Sequence, residues 1–470
     1  MSETLTMDQK PVSAAAPEWL KKFFYSDAYL AIIGILIIVA WYTKVPIIAF
    51  LPASILVMTA LIVLDDFSPM LPIILYAPCI FQTKDPAPYW WQLVGAIPLV
   101  IGLVFHFAYY RPKRAKLRMV IPQLLIAAAM LLGGLGSISK EHYQGTLTYN
   151  VMLGFLPLIF YVVMAIYSKP NKYNDFAKYF AKVSVWYGIL LGAEVIAMYI
   201  MKSPDLNKLG AGFAIDLGWG IDNNVATILM IASPMAFYLA TTDKHKVFYT
   251  VLGILNFAFT MITFSRGGIL YGAVGAVLSG LIALKINSGK ARLKIFIPML
   301  IAVVGLLTVY LIFMDPINTH LLKLINVDDH GISGRDDLYR EAVEVFKANP
   351  IFGAGLGFDG EYYAQPEGMY FYWFHSTFFQ ILGCTGAVGL AAYAIYYVVR
   401  YSIVFRHFER NTFAQFAFIG LLCFEAYSMM DTGTFIPYPI MVYVMLLTLC
   451  IEQTNDNIFL PEKSLENVIK

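Results

Sequence analysis

Charge is scarce in this chain: Asp, Glu, Lys and Arg make up 14% of its 470 residues, while 59% are hydrophobic. A soluble fold carries about a quarter charged residues, so this scarcity excludes one. Cysteine is scarce as well. Cys79, Cys384, Cys423 and Cys450 all fall within apolar runs, which argues against a disulfide framework or a zinc site. The stretch Met1 to Pro17 lacks the apolar core of a cleavable leader, so the first apolar run is expected to act as an uncleaved signal anchor.

What is abundant is long apolar sequence. Val247 to Phe264, Gly267 to Leu284 and Ile295 to Phe313 contain no charge, and about 18 residues of helix suffice to cross a hydrocarbon core of ~30 Å. Alternation of such runs with polar connectors predicts fourteen crossings. They fall near 28–42, 46–64, 69–81, 90–110, 119–136, 150–167, 179–200, 223–240, 247–264, 267–284, 294–313, 376–399, 413–430 and 436–450, the third being short and interrupted by proline. The expected fold is all-α: a polytopic bundle of 12–14 spans with a large extracytoplasmic loop that contains a short amphipathic helix.

With both termini placed in the cytoplasm, 23 of the 33 Lys and Arg residues fall in inside connectors, as the positive-inside rule requires. The chain then divides into a cytoplasmic tail (1–27), a transmembrane bundle (28–313), an outside loop (314–375), C-terminal spans (376–452) and a second tail (453–470). The outside loop sets four cationic residues against ten carboxylates, so no nucleic acid is expected there.

Within that loop, Ser333 and Asp336 resemble a capping box, and Leu338, Ala342, Val345 and Phe346 share a helical face that ends at Asn349-Pro350. Arg335 then stands near a helix start, where a phosphate is a natural neighbour, or pairs with Asp336 and Asp337 at the surface. The alternating Gly353, Gly355 and Gly357 fit a re-entrant turn or a close approach to a ligand. The aromatic run Met369 to Phe374 fits an interfacial belt, and its rings suit sugars.

Arg266 follows Ser265 between two spans with almost no connector, so its charge needs lipid headgroups, a carboxylate such as Asp222, or a bound diphosphate. His375 lies at the outer boundary just before a span, where an imidazole can take a proton from a hydroxyl or simply bond a backbone carbonyl. Glu194, Glu425 and Asp431 occupy span interiors or ends, where they orient arginines or floor a site.

Thr263-Phe264-Ser265-Arg266-Gly267-Gly268, then Ser333-Gly334-Arg335, Asn349-Pro350, the alternating glycines, His375-Ser376 and Gly386-x-x-Gly389-Leu390 together resemble the O-antigen ligase and polymerase family. The likeness covers roughly residues 210–395, and Asp222-Asn223-Asn224 is similar to a further signature of that family. It implies transfer of a glycan from an undecaprenyl-diphosphate-linked oligosaccharide to a glycan or lipid acceptor at the bilayer, with inversion and without cofactor or metal. Polymerisation is preferred to ligation, and envelope polysaccharide assembly proteins are implied partners.

By position the resemblance gives Arg266 and Arg335 to the diphosphate and His375 to the acceptor hydroxyl. Asp222, Asn224, Ser265, Tyr339, Tyr372 and Trp373 are its expected substrate contacts. Two other classes fit the composition: a transporter or flippase of lipid-linked glycan, and a scaffold of an envelope assembly. Against the transporter stand the lack of an inverted repeat and the gathering of polar residues at one face.

Overall fold

The computed structural model describes residues 16–83, 85, 87–138, 140–169, 171–173, 175–202, 215–312, 314, 335–359, 371–431, 433–436 and 438–457. Ser333 and Gly334 of the expected cap, Met369-Tyr370 of the aromatic run and both tail ends lie outside these. Each of the fourteen apolar runs carries helix. In order these are α1 (Glu18–Phe23), α2 (Asp27–Thr43), α3 (Ile47–Val63), α4 (Leu71–Tyr76), α5 (Ile97–Tyr109), α6 (Val120–Leu132), α7 (Lys140–Asn150), α8 (Leu156–Tyr167) and α9 (Phe176–Lys202). The second half adds α10 (Asp222–Thr242), α11 (Lys246–Ile262), α12 (Arg266–Ile286), α13 (Gly289–Ile312), α14 (Arg335–Ala348), α15 (Thr377–Phe405), α16 (Thr412–Ser428) and α17 (Ile440–Asn457).

Among the described residues, seven helical stretches are long and apolar enough to cross a membrane, α9, α10, α12, α13 and α15 being five of them, and six shorter apolar ones accompany them. The protein is a multi-pass membrane bundle. The third run, where Pro69, Pro72 and Pro78 interrupt the chain, forms only the six-residue α4 between two 3-10 turns. Proline removes the amide that a longer helix would bond through.

At the centre stands α10, buried over most of its length and packed against α9, α11, α12 and α16. At the periphery α13 exposes Leu300, Ile301, Val304 and Leu307. A helix apolar on all sides and uncovered by protein has lipid as its proper solvent.

Close packing around α10 depends on small residues, as expected where backbones must approach without a hydrophobic drive. A Cβ on Gly268 would sit 2.5 Å from that of Ala226, and one on Gly267 would meet the Tyr427 ring at 2.7 Å. The Gly-Gly pair after Arg266 therefore lets the start of α12 settle against α10 and α16.

One expectation about charge changes here. Arg400, counted among the inside connectors, is buried within α15 beside the rings of Tyr396, Tyr397 and Tyr401, and its guanidinium bonds Glu425. Glu425 is therefore committed to Arg400 and not to the site arginines, while Glu194 accepts the Trp219 indole N–H at 2.9 Å.

Candidate active site

The turn that precedes α12 is built by short-range bonds. Thr263 Oγ1 accepts the Ser265 amide at 3.2 Å, and Phe264 takes a left-handed φ of 57°. Ser265 then caps α12 by accepting the Gly268 amide at 3.3 Å, and its hydroxyl donates to Asn223 Oδ1 at 2.8 Å. A serine at this position serves two helices, satisfying an orphan amide of α12 and fastening the start of α10.

Asn223 passes the connection on. Its Nδ2 donates to Asp431 Oδ2 at 2.7 Å, and the Tyr427 hydroxyl donates to the same oxygen at 3.2 Å. Asp431 is buried just beyond α16, and a buried carboxylate needs such donors to remain charged. On its other side His375 Nδ1 lies 3.4 Å from Oδ1, and Arg335 Nη2 lies 3.8 Å from Oδ2. Arg335 also donates to the Met430 carbonyl through Nη1. One carboxylate thus gathers residues from α10, α14, α16 and the start of α15.

His375 is presented by a strained backbone, with φ 49°, immediately before α15. Such strain in a residue other than glycine persists only where its surroundings hold it. Two neighbours do so. Tyr339 on α14 donates its hydroxyl to the His375 carbonyl at 3.2 Å, and burial raises that phenol above its usual value, which keeps the donor proton in place. Gln380, one turn into α15, accepts the Phe374 amide at 2.9 Å and donates to the Tyr372 carbonyl at 2.7 Å.

The alternating glycines act as a brace. Helix α15 breaks at Gly386, whose φ is 59° and ψ −153°. The amides of Ala354 and Gly355 bond the Gly383 and Cys384 carbonyls at 2.8 and 2.9 Å, and Ala387 and Val388 donate back to the Pro350 and Ile351 carbonyls at 2.9 and 3.1 Å. Gly353 and Gly355 have φ of 64° and 88°, and a Cβ on Gly353 would lie 2.5 Å from the Cys384 carbonyl carbon. Glycine is required by this backbone-to-backbone contact.

Among the expected residues, Ser265, Arg335, Tyr339 and His375 converge: Asp431 faces Arg335 and His375 directly, Ser265 reaches it through Asn223, and Tyr339 bonds the His375 carbonyl. Arg266, the first residue of α12, is exposed beside this cluster, and among the described residues no carboxylate pairs with it. The pairing with Asp222 does not form. Asp222 and Asn224 flank the cluster half-buried, while Asn223 between them makes both bonds. Tyr372 is fully buried and donates to Glu341 Oε2 at 2.6 Å, and Trp373 is half-buried against Phe371. Glu341 therefore sits on the packed face of α14 with Leu338, Ala342 and Val345, where the helical pattern had placed Phe346.

Asn223 and Tyr427 were not singled out as site residues. Asn223 carried a signal, since it is the middle of the Asp-Asn-Asn motif; Tyr427 carried none, being one of 31 tyrosines in an aromatic-rich chain.

Chemically, the cluster can hold an imidazole with Nδ1 turned to a carboxylate, which directs proton exchange to Nε2. It also sets guanidinium groups nearby for an anion. Residues 251–394 match the family model described as O-antigen ligase. The match covers less than half of the chain and runs from within α11 into α15, through Ser265, Arg266, Arg335 and His375. It supports the family assignment that the motif order suggested. No curated protein matches the chain.

Proposed function

We propose, with the family match as premise, that this protein transfers a glycan from a polyprenyl-diphosphate-linked oligosaccharide to the hydroxyl of a glycan or lipid acceptor, at the outer face of the membrane. The observation that carries the reading is the placement of Asp431 between His375 and Arg335. One buried carboxylate there serves both a proton-accepting ring and an anion-binding guanidinium.

In the proposed step the acceptor oxygen attacks the anomeric carbon of the donor, and its proton passes to His375 Nε2. The bond from that carbon to the diphosphate oxygen breaks, and polyprenyl diphosphate departs with the electron pair. Attack opposite the leaving group inverts the anomeric centre.

Imidazolium formed in the step is stabilised by the Asp431 carboxylate, which also fixes the ring's tautomer, as carboxylates do in other acid-base dyads. Negative charge that gathers on the diphosphate is met by Arg266 and Arg335. Arg335 is held in place by its bond to the Met430 carbonyl, and a donor so fixed favours that charge with little reorganisation. The polyprenyl chain stays among lipids while the diphosphate lies at the interface.

The test is transfer from a polyprenyl-diphosphate oligosaccharide by the purified protein in lipid nanodiscs, beside His375→Ala, with products separated by size. A ladder that the variant lacks identifies polymerisation, and a single block added to a supplied acceptor identifies ligation. No product with any donor or acceptor overturns the transferase reading in favour of a transporter.

A further inference from the structure

We propose that the basic turn between α12 and α13, with the adjoining start of α11, binds an anionic phospholipid at the membrane face opposite the candidate active site. Helix α12 begins at Arg266 and ends at Ile286, 21 residues on. At 1.5 Å per residue it carries the chain about 31 Å, the thickness of the hydrocarbon core. The turn therefore lies in the other leaflet, and its ligand is independent of the proposed transfer chemistry.

The first feature is charge without counter-charge. From Lys244 to Met314 the sequence contains no Asp or Glu, yet Lys244, Lys246, Lys285, Lys290, Arg292 and Lys294 all fall there. Lys285, Lys290, Arg292 and Lys294 are exposed, and among the described residues no carboxylate pairs with them. The nearest in sequence, Asp243, is held by Lys178 at 2.7 Å and by the His245 amide at 3.0 Å. Cations of other connectors do find partners: Lys116 and Arg118 pair with Asp456, Lys172 with Glu18, and Lys182 with Asp27. A bias of Lys and Arg toward one side accounts for the number of cations here. It does not account for their lack of partners.

The second feature is that like charges are gathered. Lys246 Nζ donates to the Ala240 and Thr241 carbonyls at 3.2 and 2.7 Å, and Lys294 lies near enough for its charge to act on that ammonium. Two such charges side by side repel, and an anion between them turns repulsion into attraction. An ammonium has three donors, so Lys246 keeps one for that anion. Arg292 fixes the turn beside them, its Nε donating to the Asn287 carbonyl at 2.9 Å.

The third feature is what lies beneath the cations. Val247, Val251 and Leu255 form an exposed stripe on α11. On α13, Lys290, Lys294, Ile297 and Ile301 share one exposed face, basic at its start and apolar beyond. These two helices pack against each other. A free phosphate would use only the charged end of this surface, whereas a phospholipid uses both its charge and its apolar length. A zwitterionic headgroup would bring another cation to the cluster, so the fit is to a phosphodiester that carries none.

The test is lipid retention by the full chain in detergent, read by native mass spectrometry after equilibration with phosphatidylglycerol or phosphatidylcholine of matched acyl chains. Wild type should retain phosphatidylglycerol in preference. Lys290→Gln with Lys294→Gln should weaken that retention about thirtyfold, the scale of two surface cations at an anionic lipid. Arg111→Gln with Arg114→Gln removes two exposed cations of another connector and should leave retention within twofold.

All four side chains are exposed, so both double variants should fold, which their melting temperatures check. Equal retention of the two lipids by wild type, unchanged retention after the Lys290 and Lys294 substitutions, or equal loss in both double variants overturns the site. Displacement of the lipid by an equal concentration of inorganic phosphate overturns the choice of a phospholipid.

Discussion

The hydroxyl of Ser265 donates a 2.8 Å hydrogen bond to Asn223, and Asn223 in turn donates at 2.7 Å to Asp431. The residue before Arg266 is thereby tied through one side chain to the carboxylate that faces His375. This couples the arginine turn of α12 to the histidine that starts α15.

Replacement of Asp431 by Asn should keep a polar neighbour for Tyr427 and Asn223 but remove the charge that stabilises imidazolium. Turnover should fall roughly a hundredfold or more. Steady-state kinetics with saturating donor check this, and a kcat within twofold of wild type would remove Asp431 from the mechanism.

Arg266→Ala should slow transfer by about a hundredfold, matching ~3 kcal/mol for one lost anion donor. Because the side chain is exposed and pairs with no carboxylate among the described residues, thermal stability should stay within ~0.5 kcal/mol. Arg266→Lys should recover only part of the rate, since the planar fork is lost. Parallel rate and melting measurements separate the two effects; loss of both together would mark Arg266 as structural.

Gly268→Ala should push α12 away from α10, because the new methyl would lie 2.5 Å from the Ala226 Cβ. Activity and melting temperature should both drop. Adding Ala226→Gly should restore part of each, as expected of directly packed neighbours. If the double variant is no better than the single one, this contact does not set the helix spacing.

Arg400→Met should be severely destabilising, by about 3–5 kcal/mol, because it strands Glu425 without its partner. The double variant Arg400→Met, Glu425→Leu should recover most of that loss, as apolar substitution of a buried pair often does. Thermal unfolding in detergent compares the three proteins, and a double variant as unstable as the single one would show that the pair does more than compensate charge.

Asn223→Ala should reduce transfer and leave the membrane bundle folded, since it cuts the two bonds that join α10 to the turn before α12 and to Asp431. A removed hydrogen bond to a charged group costs about 1.5–3 kcal/mol. Normal activity in this variant would mean that the Ser265 and Asp431 ends hold their positions independently.

The sequence by itself determined the membrane bundle and the neighbourhood of the arginines and histidine. Hydropathy and charge are read residue by residue, and a fixed bilayer thickness turns an apolar run directly into a span. The turn at Ser265 and the helix that follows Arg335 are likewise local, built from bonds only a few residues apart.

Tertiary structure decided which of these residues meet. Asp431 lies 56 positions from His375 and 208 from Asn223, distances over which neither periodicity nor composition carries information. Helical phase around α10 chose Asn223, and not Asp222 or Asn224, to turn toward Asp431. The break at Gly386 made a backbone brace of the alternating glycines, and packing under α14 drew Tyr372 into the core while leaving Tyr339 half-buried against the His375 carbonyl. Such choices depend on which face of each helix finds a complementary neighbour, and that is settled only when all the helices pack together.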